Sequence, residues 1–269
     1  MVINSSLTRP LAIVTGASNG IGYELAKQFA QNGFDLLVTA TGASINEAAQ
    51  AFEGLGAKVE TVQADLATYD GVETLYNQIK ATNRPVDAIA INAGVGVGGD
   101  FARETDLKDE LNLINLNVVS SVHLAKRVVK DMVDRGQGRI LFTSSIAALM
   151  PGPFEAVYAA SKAFIHSFSE GLRNELKDTG VTVTSLMPGP TDTNFFHRAG
   201  MDDTKAGADK KDDPAEVAKQ GFEALMAGKD NIIAGSLKTK ILASASKVLP
   251  DTVNAEMHRQ LTEPGSANQ

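Results

Sequence analysis

Length, composition and charge limit the classes of protein to which the chain can belong. Its 269 residues are 43% hydrophobic and 21% charged, which predicts one large domain with a sizeable core. A net charge of −7 argues against nucleic acid or an anionic membrane as a partner. The absence of cysteine excludes disulfides, thiolate catalysis and cysteine-ligated metals. Residues 1–10 lack the apolar core of a signal peptide and no run is long enough to span a membrane, which predicts a cytoplasmic protein.

Short apolar runs alternate with longer helical patterns along the chain. The predicted strands are Leu11–Thr15, Leu36–Ala40, Lys58–Gln63, Val86–Ile91, Arg139–Thr143, Val181–Leu186 and a weaker one at Asn231–Ala234. The predicted helices are Ile21–Gln31, Ile45–Glu53, Val72–Lys80, Leu107–Val133 and Tyr158–Lys177. Unbroken apolar runs are typical of strands buried on both faces of a parallel sheet. The alternation therefore predicts an α/β fold with a doubly wound, mostly parallel seven-stranded sheet and helices on both faces.

Residues 1–269 are predicted to form a single domain with two irregular segments. Residues 190–213 are rich in Gly, Asp and Lys and lack periodicity, which is typical of a lid over a site. Residues 262–269 are polar and are predicted to be a frayed tail. Doubly wound sheets bind ligands beyond the carboxyl ends of their strands. The residues that directly follow each strand are therefore the candidates for a functional site.

A glycine-rich turn follows the first predicted strand. Thr15–Gly22 reads TGASNGIG and leads directly into a helix. Glycines there allow a tight turn and let backbone amides approach a pyrophosphate, which the positive end of the helix dipole attracts. No Gly-Lys-Ser/Thr follows, so the turn is not a P-loop. At this point an ordinary turn between a strand and a helix is the alternative.

Tyr158 and Lys162 are the candidate acid/base pair. They are four residues apart, so on a helix both side chains project from one face. A free phenol has a pKa of about 10, which is too high for efficient proton transfer near neutrality. A neighbouring ammonium favours the phenolate, so we predict that Lys162 lowers the pKa of Tyr158. The alternative for two such residues is a surface pair on an amphipathic helix.

Taken in order, these motifs resemble the short-chain dehydrogenase/reductase family in its single-domain form. The TGxxxGIG turn, the Asn92-Ala93-Gly94 segment after strand four and the Tyr158-x-x-x-Lys162 pair carry the resemblance, which extends over Leu11–Ala234. It implies a Rossmann-like fold and an NAD(P)-dependent alcohol dehydrogenase or ketoreductase that acts on a small-molecule carbonyl or alcohol. It also implies a homodimer or homotetramer formed through the two long helices.

The resemblance implies catalytic roles for Tyr158, Lys162 and Ser145. Tyr158 would be the acid/base, while Lys162 would tune it and bind the nicotinamide ribose. Ser145 lies thirteen residues before Tyr158 and would hold the substrate oxygen as charge develops there. The rival Ser144 is one residue off this spacing.

Asn117 is the fourth residue with an implied catalytic role, namely to hold a water of the proton relay. It lies on the predicted helix Leu107–Val133. Asn112 and Asn115 lie on the same helix and remain alternatives.

The cofactor-binding residues implied by the resemblance follow successive strands. Asp65 would contact the adenine, and the segment from Pro188 to Thr193 would enclose the nicotinamide and its carboxamide. The full set is Gly16, Ser18, Asn19, Gly20, Ile21, Gly22, Thr41, Asp65, Leu66, Asn92, Ala93, Gly94, Tyr158, Lys162, Pro188, Gly189, Thr191 and Thr193.

The end of strand two bears on the choice of nicotinamide cofactor. A ribose-binding acid belongs there, but Ala40-Thr41 occupies the place, and Asp35 lies at the other end as a strand-entry residue. A site without that acid does not repel a 2′-phosphate. Asn19 and Thr41 stand where family members often place Arg or Lys for this phosphate. We predict NADP(H) as the favoured cofactor and NAD(H) as the alternative.

The predicted substrate pocket is largely apolar, which favours an apolar ketone or secondary alcohol. Its residues are Ser145, Met150, Phe154, Tyr158, Phe195 and Phe196. No metal site is predicted, because no two histidines stand at metal-ligand spacing. A solvated or capping role is predicted for each histidine, namely His123, His166, His197 and His258.

Two other functions are compatible with the fold. A regulator that senses NADP(H) without turnover is one, but such proteins typically lack the Tyr or the Lys, and this chain has both. An enzyme resembling nucleotide-sugar epimerases is the other, but these usually need a larger region after Pro188.

Overall fold

Seven parallel strands form one sheet in the computed structural model, which describes residues 9–268. The strands are β1 (Leu11–Thr15), β2 (Asp35–Ala40), β3 (Val59–Gln63), β4 (Val86–Ile91), β5 (Gly138–Thr143), β6 (Val181–Pro188) and β7 (Asn231–Ala234). Their order across the sheet is β3-β2-β1-β4-β5-β6-β7. Every pair of neighbouring strands is parallel. The predicted α/β fold with a doubly wound seven-stranded sheet is confirmed.

Helices cover both faces of this sheet. They are α1 (Gly20–Gln31), α2 (Ser44–Glu53), α3 (Tyr69–Ala81), α4 (Leu107–Ile114), α5 (Ser120–Arg135), α6 (Ala156–Glu175), α7 (Phe195–Arg198), α8 (Lys205–Ala208), α9 (Pro214–Met226), α10 (Leu237–Ser246) and α11 (Asp251–Thr262). Within residues 9–268, none of these helices has the length and apolar character needed to cross a membrane.

Two hydrophobic clusters hold the helices against the two faces of the sheet. On one face, Phe29 of α1 packs edge-on against Phe222 of α9, with ring centroids 5.1 Å apart. On the other face, Leu124 of α5 belongs to the second cluster. Neighbouring strand residues point to opposite faces, so Val14 joins the first cluster and Ile13 the second. Burial on both faces is the reason that the strand sequences are mostly apolar.

The sheet grows in opposite directions from its centre. β1 lies between β2 and β4, so the chain crosses over β1 when it passes from β3 to β4. At such a switch point the connections after the two central strands diverge to opposite faces, which leaves a crevice beyond their carboxyl ends. The fold therefore places the residues after β1 and β4 side by side at the expected binding site.

The long helix predicted at Leu107–Val133 is interrupted in the structure. A π-helical segment, Asn115–Val119, joins α4 to α5. An extra residue in one turn changes the direction of the side chains that follow, and such turns are frequent at functional sites. Asn117 within this segment is buried, whereas Asn112 and Asn115 are exposed.

Three helices after Asp213 are not among those predicted from the sequence, namely α9, α10 and α11. The start of α9 carries a recognisable signal, since the Asp213 carboxylate accepts a hydrogen bond from the Ala215 amide and Pro214 occupies the first turn. α10 has a less distinct apolar face and is stabilised by tertiary contacts with β7 and the Ile146–Leu149 turn. The residues that α10 and α11 contribute to the crevice, Leu242 and His258 among them, therefore come from a part of the chain with weak local signals.

Residues 190–213, predicted to be an irregular lid, contain α7 and α8. The two ends of the segment meet, because the Asp212 amide donates to the Pro190 carbonyl and the Asp192 amide to the Asp212 carbonyl, both at 2.8 Å. The middle packs onto the body of the protein, where Met201 is buried and the Gly98 amide donates to the Ala199 carbonyl at 2.9 Å. The segment thus covers the crevice with defined secondary structure.

The described part of the tail differs from the frayed segment predicted for residues 262–269. The Gly265 amide donates to Asp203 Oδ2 at 2.8 Å, and the Lys205 amide donates to Ser266 Oγ at 2.9 Å. Ser266 is buried. These contacts fix the tail to the turn before α8, so the polar sequence there is satisfied by protein rather than by water. Residue 269 lies outside the described residues.

Asp35, interpreted as a strand-entry residue, is a buried ion-pair partner at the amino end of β2. Its Oδ2 accepts a hydrogen bond from Arg84 Nη1 at 2.9 Å, and its Oδ1 accepts one from the Lys58 amide at 3.0 Å. The Arg9 guanidinium lies 3.6 Å from Oδ1. These contacts fasten the edge of the sheet that lies away from the crevice.

We expect Asp35→Ala to lower the free energy of unfolding by about 3 kcal/mol, because the Lys58 amide and the Arg84 guanidinium would lose their buried acceptor. Urea unfolding measures the loss. Asp131→Ala is the matched control, since it breaks only the exposed Lys80–Asp131 pair and should cost less than about 1 kcal/mol. Equal losses in the two variants would contradict the assignment.

Candidate functional site

A cavity of about 470 Å³ opens beyond the carboxyl ends of the strands. It brings together all but two of the site residues predicted from the sequence. Those that line it are Gly16, Ser18, Asn19, Gly20, Ile21, Gly22, Thr41, Asp65, Leu66, Asn92, Ala93, Gly94, Ser145, Met150, Tyr158, Lys162, Pro188, Gly189, Thr191, Thr193, Phe195 and Phe196. Asn117 and Phe154 are not in its lining.

The glycine turn between β1 and α1 has a backbone that only glycine accepts readily. Gly16 and Gly20 have φ angles of 68° and 58°, in the left-handed region. A side chain at Gly22 would collide with the Gly16 carbonyl. The Asn19 side chain does not cap α1, so the first amides of the helix are open to an anionic ligand from the crevice.

Asn92 and Ala93 join the carboxyl ends of three strands. Their amides both donate to Thr15 Oγ1 at 2.9 Å, and Asn92 Nδ2 donates to the Thr15 carbonyl at 3.1 Å. Asn92 Oδ1 accepts a hydrogen bond from Thr143 Oγ1 at 3.0 Å. These bonds link β4 to both β1 and β5, which keeps the floor of the crevice rigid.

The end of β2 offers hydroxyl and amide groups rather than a carboxylate. Ala40 and Thr41 line the crevice there, beside Ser18 of the glycine turn. Arg198, which was not predicted as a site residue, also lines the crevice, and its Nη2 donates to Asn19 Oδ1 at 2.8 Å. The Arg198 guanidinium therefore places a positive charge beside the glycine turn, although Arg198 is distant from the turn in sequence. The donors present fit a phosphorylated dinucleotide that lies from the turn to Lys162.

Tyr158 and Lys162 lie on α6, and both are buried where they line the crevice. Lys162 Nζ lies 5.7 Å from the centroid of the Tyr158 ring. It donates a hydrogen bond to the Thr143 carbonyl at 2.9 Å, which attaches α6 to the end of β5. The side chains share one face of the helix, as their spacing predicts.

The direction of the Tyr158 pKa differs from the prediction. Burial raises the pKa of Tyr158 above its usual value, the Glu155 carboxylate raises it further, and only the Ser145 hydroxyl lowers it. Burial also lowers the pKa of Lys162 to about 8. Desolvation thus sets the direction of the shift in this site, and the phenol is protonated at neutral pH.

The two candidate serines have different environments. Ser145 Oγ accepts a hydrogen bond from the Ala147 amide at 3.1 Å and lies 3.5 Å from the Pro188 carbonyl. Ser144 Oγ donates to the Lys162 carbonyl at 2.8 Å, which fixes it against the backbone of α6. Of the two hydroxyls, that of Ser145 is the one that contributes to the pKa of the Tyr158 phenol.

Asn117 lies behind the crevice wall, where its side chain is used by the protein. Its Oδ1 accepts from the Val95 amide at 3.0 Å, and its Nδ2 donates to the Val95 carbonyl at 2.9 Å and to Ser161 Oγ at 3.0 Å. The π-helical segment thereby connects the loop after β4 to α6. Of the rival asparagines, Asn112 lines the crevice.

Phe195 and Phe196 form an aromatic part of the wall. The Phe195 ring lies 5.1 Å from that of Tyr158, and the two phenylalanines are in edge contact at 5.4 Å. The assignment of Phe154 to the pocket is wrong. Phe154 has a φ of 59°, and its ring lies 5.0 Å from the Arg259 guanidinium instead of lining the cavity.

The structure also brings residues to the crevice that were not predicted. His258, assigned a solvated or capping role, is instead buried, and its Nε2 lies 3.2 Å from Oε2 of the buried Glu155. Leu242 and Leu261 line the same region of the cavity. No motif marks these positions, although Glu155 lies only three residues before Tyr158.

We expect Lys162→Met to stabilise the protein relative to the wild type at pH 7 more than at pH 10. The folded pKa of Lys162, about 8, is below its unfolded value of 10.5, so folding expels a proton between these values. The wild type therefore gains stability as the pH rises through this range, and the variant does not. The difference should shrink by about 2 kcal/mol between pH 7 and pH 10.

Urea unfolding of both proteins at the two pH values measures this difference. Lys80→Met is the control, because that lysine is exposed and its substitution removes no buried charge. A constant difference for Lys162→Met would show that the buried lysine has an ordinary pKa.

Comparison with known proteins agrees with this geometry. The family model described as short chain dehydrogenase matches residues 10–204. An NADP-dependent 3-hydroxy acid dehydrogenase of Salmonella typhi is 32% identical over 200 residues, which cover 73% of this chain and 79% of that protein.

Two solved structures are similar in fold and sequence. A short-chain dehydrogenase from Sphingobium yanoikuyae, in complex with NADPH, has a TM-score of 0.77 at 28% identity over 83% of this chain and 87% of that one. L-Sorbose reductase from Gluconobacter frateurii, complexed with NADPH and L-sorbose, has a TM-score of 0.73 at 25% identity over 86% of this chain and 97% of that one. The resemblance first indicated by the glycine turn and the Tyr158–Lys162 pair is confirmed, and the chain belongs to the short-chain dehydrogenase/reductase family.

Proposed function

We propose that the chain is an NADP(H)-dependent oxidoreductase that interconverts a ketone and a secondary alcohol, with Tyr158 as the general acid/base. One observation carries the proposal: Tyr158, Lys162 and Ser145 line the same crevice as the glycine turn. A phenol, a cation and a hydroxyl thus surround the place where a carbonyl would meet a dinucleotide held at the turn.

Four observations support NADP(H) as the preferred cofactor. No carboxylate follows β2 at Thr41 to repel a 2′-phosphate, and Arg198 adds positive charge beside Asn19. The relative from Salmonella typhi is described as NADP-dependent. Both similar structures were solved with NADPH. NAD(H) remains the alternative.

The side chains divide the work of the reaction. When bound, the nicotinamide supplies or accepts the hydride. In reduction, the Ser145 hydroxyl donates a hydrogen bond to the substrate carbonyl oxygen, where negative charge develops. Tyr158 donates its proton to the same oxygen and completes the alcohol. In oxidation, the Tyr158 phenolate removes the proton of the substrate hydroxyl.

The pKa shifts of Tyr158 and Lys162 agree with the roles proposed for them in ketone reduction. Because burial raises the pKa of Tyr158, its proton is present at neutral pH and available for donation. With a pKa of about 8, Lys162 is largely cationic at pH 7. Its ammonium, near the ring on the same helix face, then stabilises the phenolate that proton donation leaves.

Asn117 is proposed to connect this pair to solvent. A side chain on Gly94 would place its Cβ 3.0 Å from Asn117 Oδ1 and 3.3 Å from Lys162 Nζ. The two polar groups therefore lie close to the same backbone position. This closeness supports a proton path that leads from Lys162 toward Asn117.

Exposed apolar residues support the proposed homodimer or homotetramer. Leu107 and Leu111 of α4 and Phe164 of α6 are 70%, 49% and 43% exposed. Beside them, Val118 and Phe101 line an apolar groove between α6 and the π-helical segment. Grouped apolar residues of this kind mark protein interfaces, and here they lie on the two helices that the resemblance implies.

We expect Tyr158→Phe to lower kcat by about 10²–10⁴-fold, because only the proton donor is removed. The affinity for NADPH should stay within about threefold, since the ring and the fold are kept. The measurements are the absorbance of the reduced nicotinamide during turnover and the fluorescence titration of NADPH. Tyr69→Phe, which removes an exposed phenol on α3, is the control with unchanged kcat. Retained activity in Tyr158→Phe would refute the proposal.

We expect the KM for NADPH to be at least about tenfold below that for NADH, because the site lacks the repelling acid. Arg198→Gln should raise the KM for NADPH, since it removes the cation beside Asn19. Steady-state kinetics with each cofactor at a saturating ketone concentration measure both effects. A lower KM for NADH would overturn the cofactor assignment while leaving the role of Tyr158 intact.

A further inference from the structure

Glu155 and His258 form a buried titratable pair that the proposed mechanism does not use. Glu155 directly precedes α6, and His258 comes from α11, far along the chain. His258 Nε2 and Glu155 Oε2 lie 3.2 Å apart, and each residue is 6% exposed. Both side chains line the cavity that also contains Tyr158.

The pair keeps unused hydrogen-bonding capacity. Among residues 9–268, Glu155 Oε1 and His258 Nδ1 have no protein hydrogen-bond partner. Neither atom is among the fully enclosed polar atoms without a partner. A buried carboxylate with one free oxygen is costly unless a further donor reaches it. A hydroxyl group of a bound molecule would supply that donor.

Apolar side chains share the cavity lining with the pair. Met150, Leu242 and Leu261 line the same cavity, and they come from three different segments of the chain. Thr262 also lines it, but its hydroxyl already donates to the Pro153 and His258 carbonyls, both at 2.9 Å. A ligand that lies in this part of the cavity therefore needs an apolar body with one polar group.

The cavity has few cations to receive an anionic substrate. Within the described residues, Lys162 and Arg198 are the lysine and arginine in its lining. Lys162 bonds to Thr143 beside the acid/base, and Arg198 bonds to Asn19 at the glycine turn. A substrate carboxylate near Glu155 would therefore meet a like charge and no compensating guanidinium or ammonium.

We propose that the Glu155–His258 pair selects uncharged ketones and secondary alcohols that carry a second hydroxyl group, and that it disfavours carboxylates. His258 holds one carboxylate oxygen, and the free oxygen accepts the hydrogen bond of the substrate hydroxyl. This inference rests on the proposed function and adds the substrate class to it. It makes Glu155 and His258 specificity-determining residues.

The test compares three ketones of equal chain length with NADPH as cofactor. One carries only the ketone, the second adds a hydroxyl at the far end, and the third carries a carboxylate there. A site built to bind a hydroxyl rejects the analogue that lacks it, so kcat/KM of the wild type should favour the hydroxyketone by about tenfold or more over the plain ketone. The keto acid should be the poorest of the three.

Glu155→Gln separates recognition from structure, because it keeps the shape of the side chain and removes its charge. In this variant the ratio of kcat/KM for the hydroxyketone to that for the plain ketone should fall most of the way to one. The ratio of kcat/KM for the keto acid to that for the plain ketone should rise by about tenfold. Gln260→Ala, on the exposed side of α11, is the control in which all three ratios stay as in the wild type.

The outcomes distinguish this inference from the function on which it rests. A wild type that favours the keto acid would overturn the inference without any variant. Equal changes for all three ketones in Glu155→Gln would also overturn it, since they would show a structural role only. Turnover of the plain ketone that still depends on Tyr158 would leave the proposed function standing in both cases. Turnover that is independent of Tyr158 would end the proposed function itself.

Discussion

The hydrogen bond between Lys162 Nζ and the Thr143 carbonyl is the constraint on which the site depends. It ties α6 to the carboxyl end of β5 at a buried position. Because Tyr158 lies one turn earlier on the same helix, this bond also sets where the phenol lies relative to the sheet edge. Thr143 in turn donates to Asn92, and Asn92 is bonded to Thr15 beside the glycine turn. Tyr158 and the glycine turn are therefore parts of one hydrogen-bonded edge.

Burial of these side chains at the sheet edge also shifts the pKa values of the ionisable groups there. Burial raises the pKa of Tyr158 and lowers that of Lys162, so each group is held toward its neutral form. Glu155 opposes ionisation of Tyr158 further, and its own side chain is held by the contact with His258 Nε2. A network of this kind acts as a unit, since changing one member alters the charge balance of the others.

The sequence predicted those features that depend on neighbouring residues or on a single periodicity. The seven strands follow from apolar runs buried on two faces, and the glycine turn and the Tyr158–Lys162 spacing are local patterns. Features that depend on contacts between residues distant in sequence could not be predicted from such local patterns. Burial of His258 depends on α11 docking beside α6, and the direction of the Tyr158 pKa depends on desolvation by the assembled fold. Phe154 shows the same limit, because its left-handed backbone turns the ring toward Arg259.

Under the proposed function, the residues of the chemical step and the residues that select the substrate lie in different parts of the chain. The family model matches residues 10–204, and this part holds the glycine turn, Ser145, Tyr158 and Lys162. Leu242, His258 and Leu261 reach the cavity from beyond that part, on helices held by tertiary contacts. A segment that carries no group of the chemical step can change without loss of the hydride reaction. Under the proposed function, the residues that select the ketone are therefore best sought in α10 and α11, and the Glu155–His258 contact joins α11 to the start of α6.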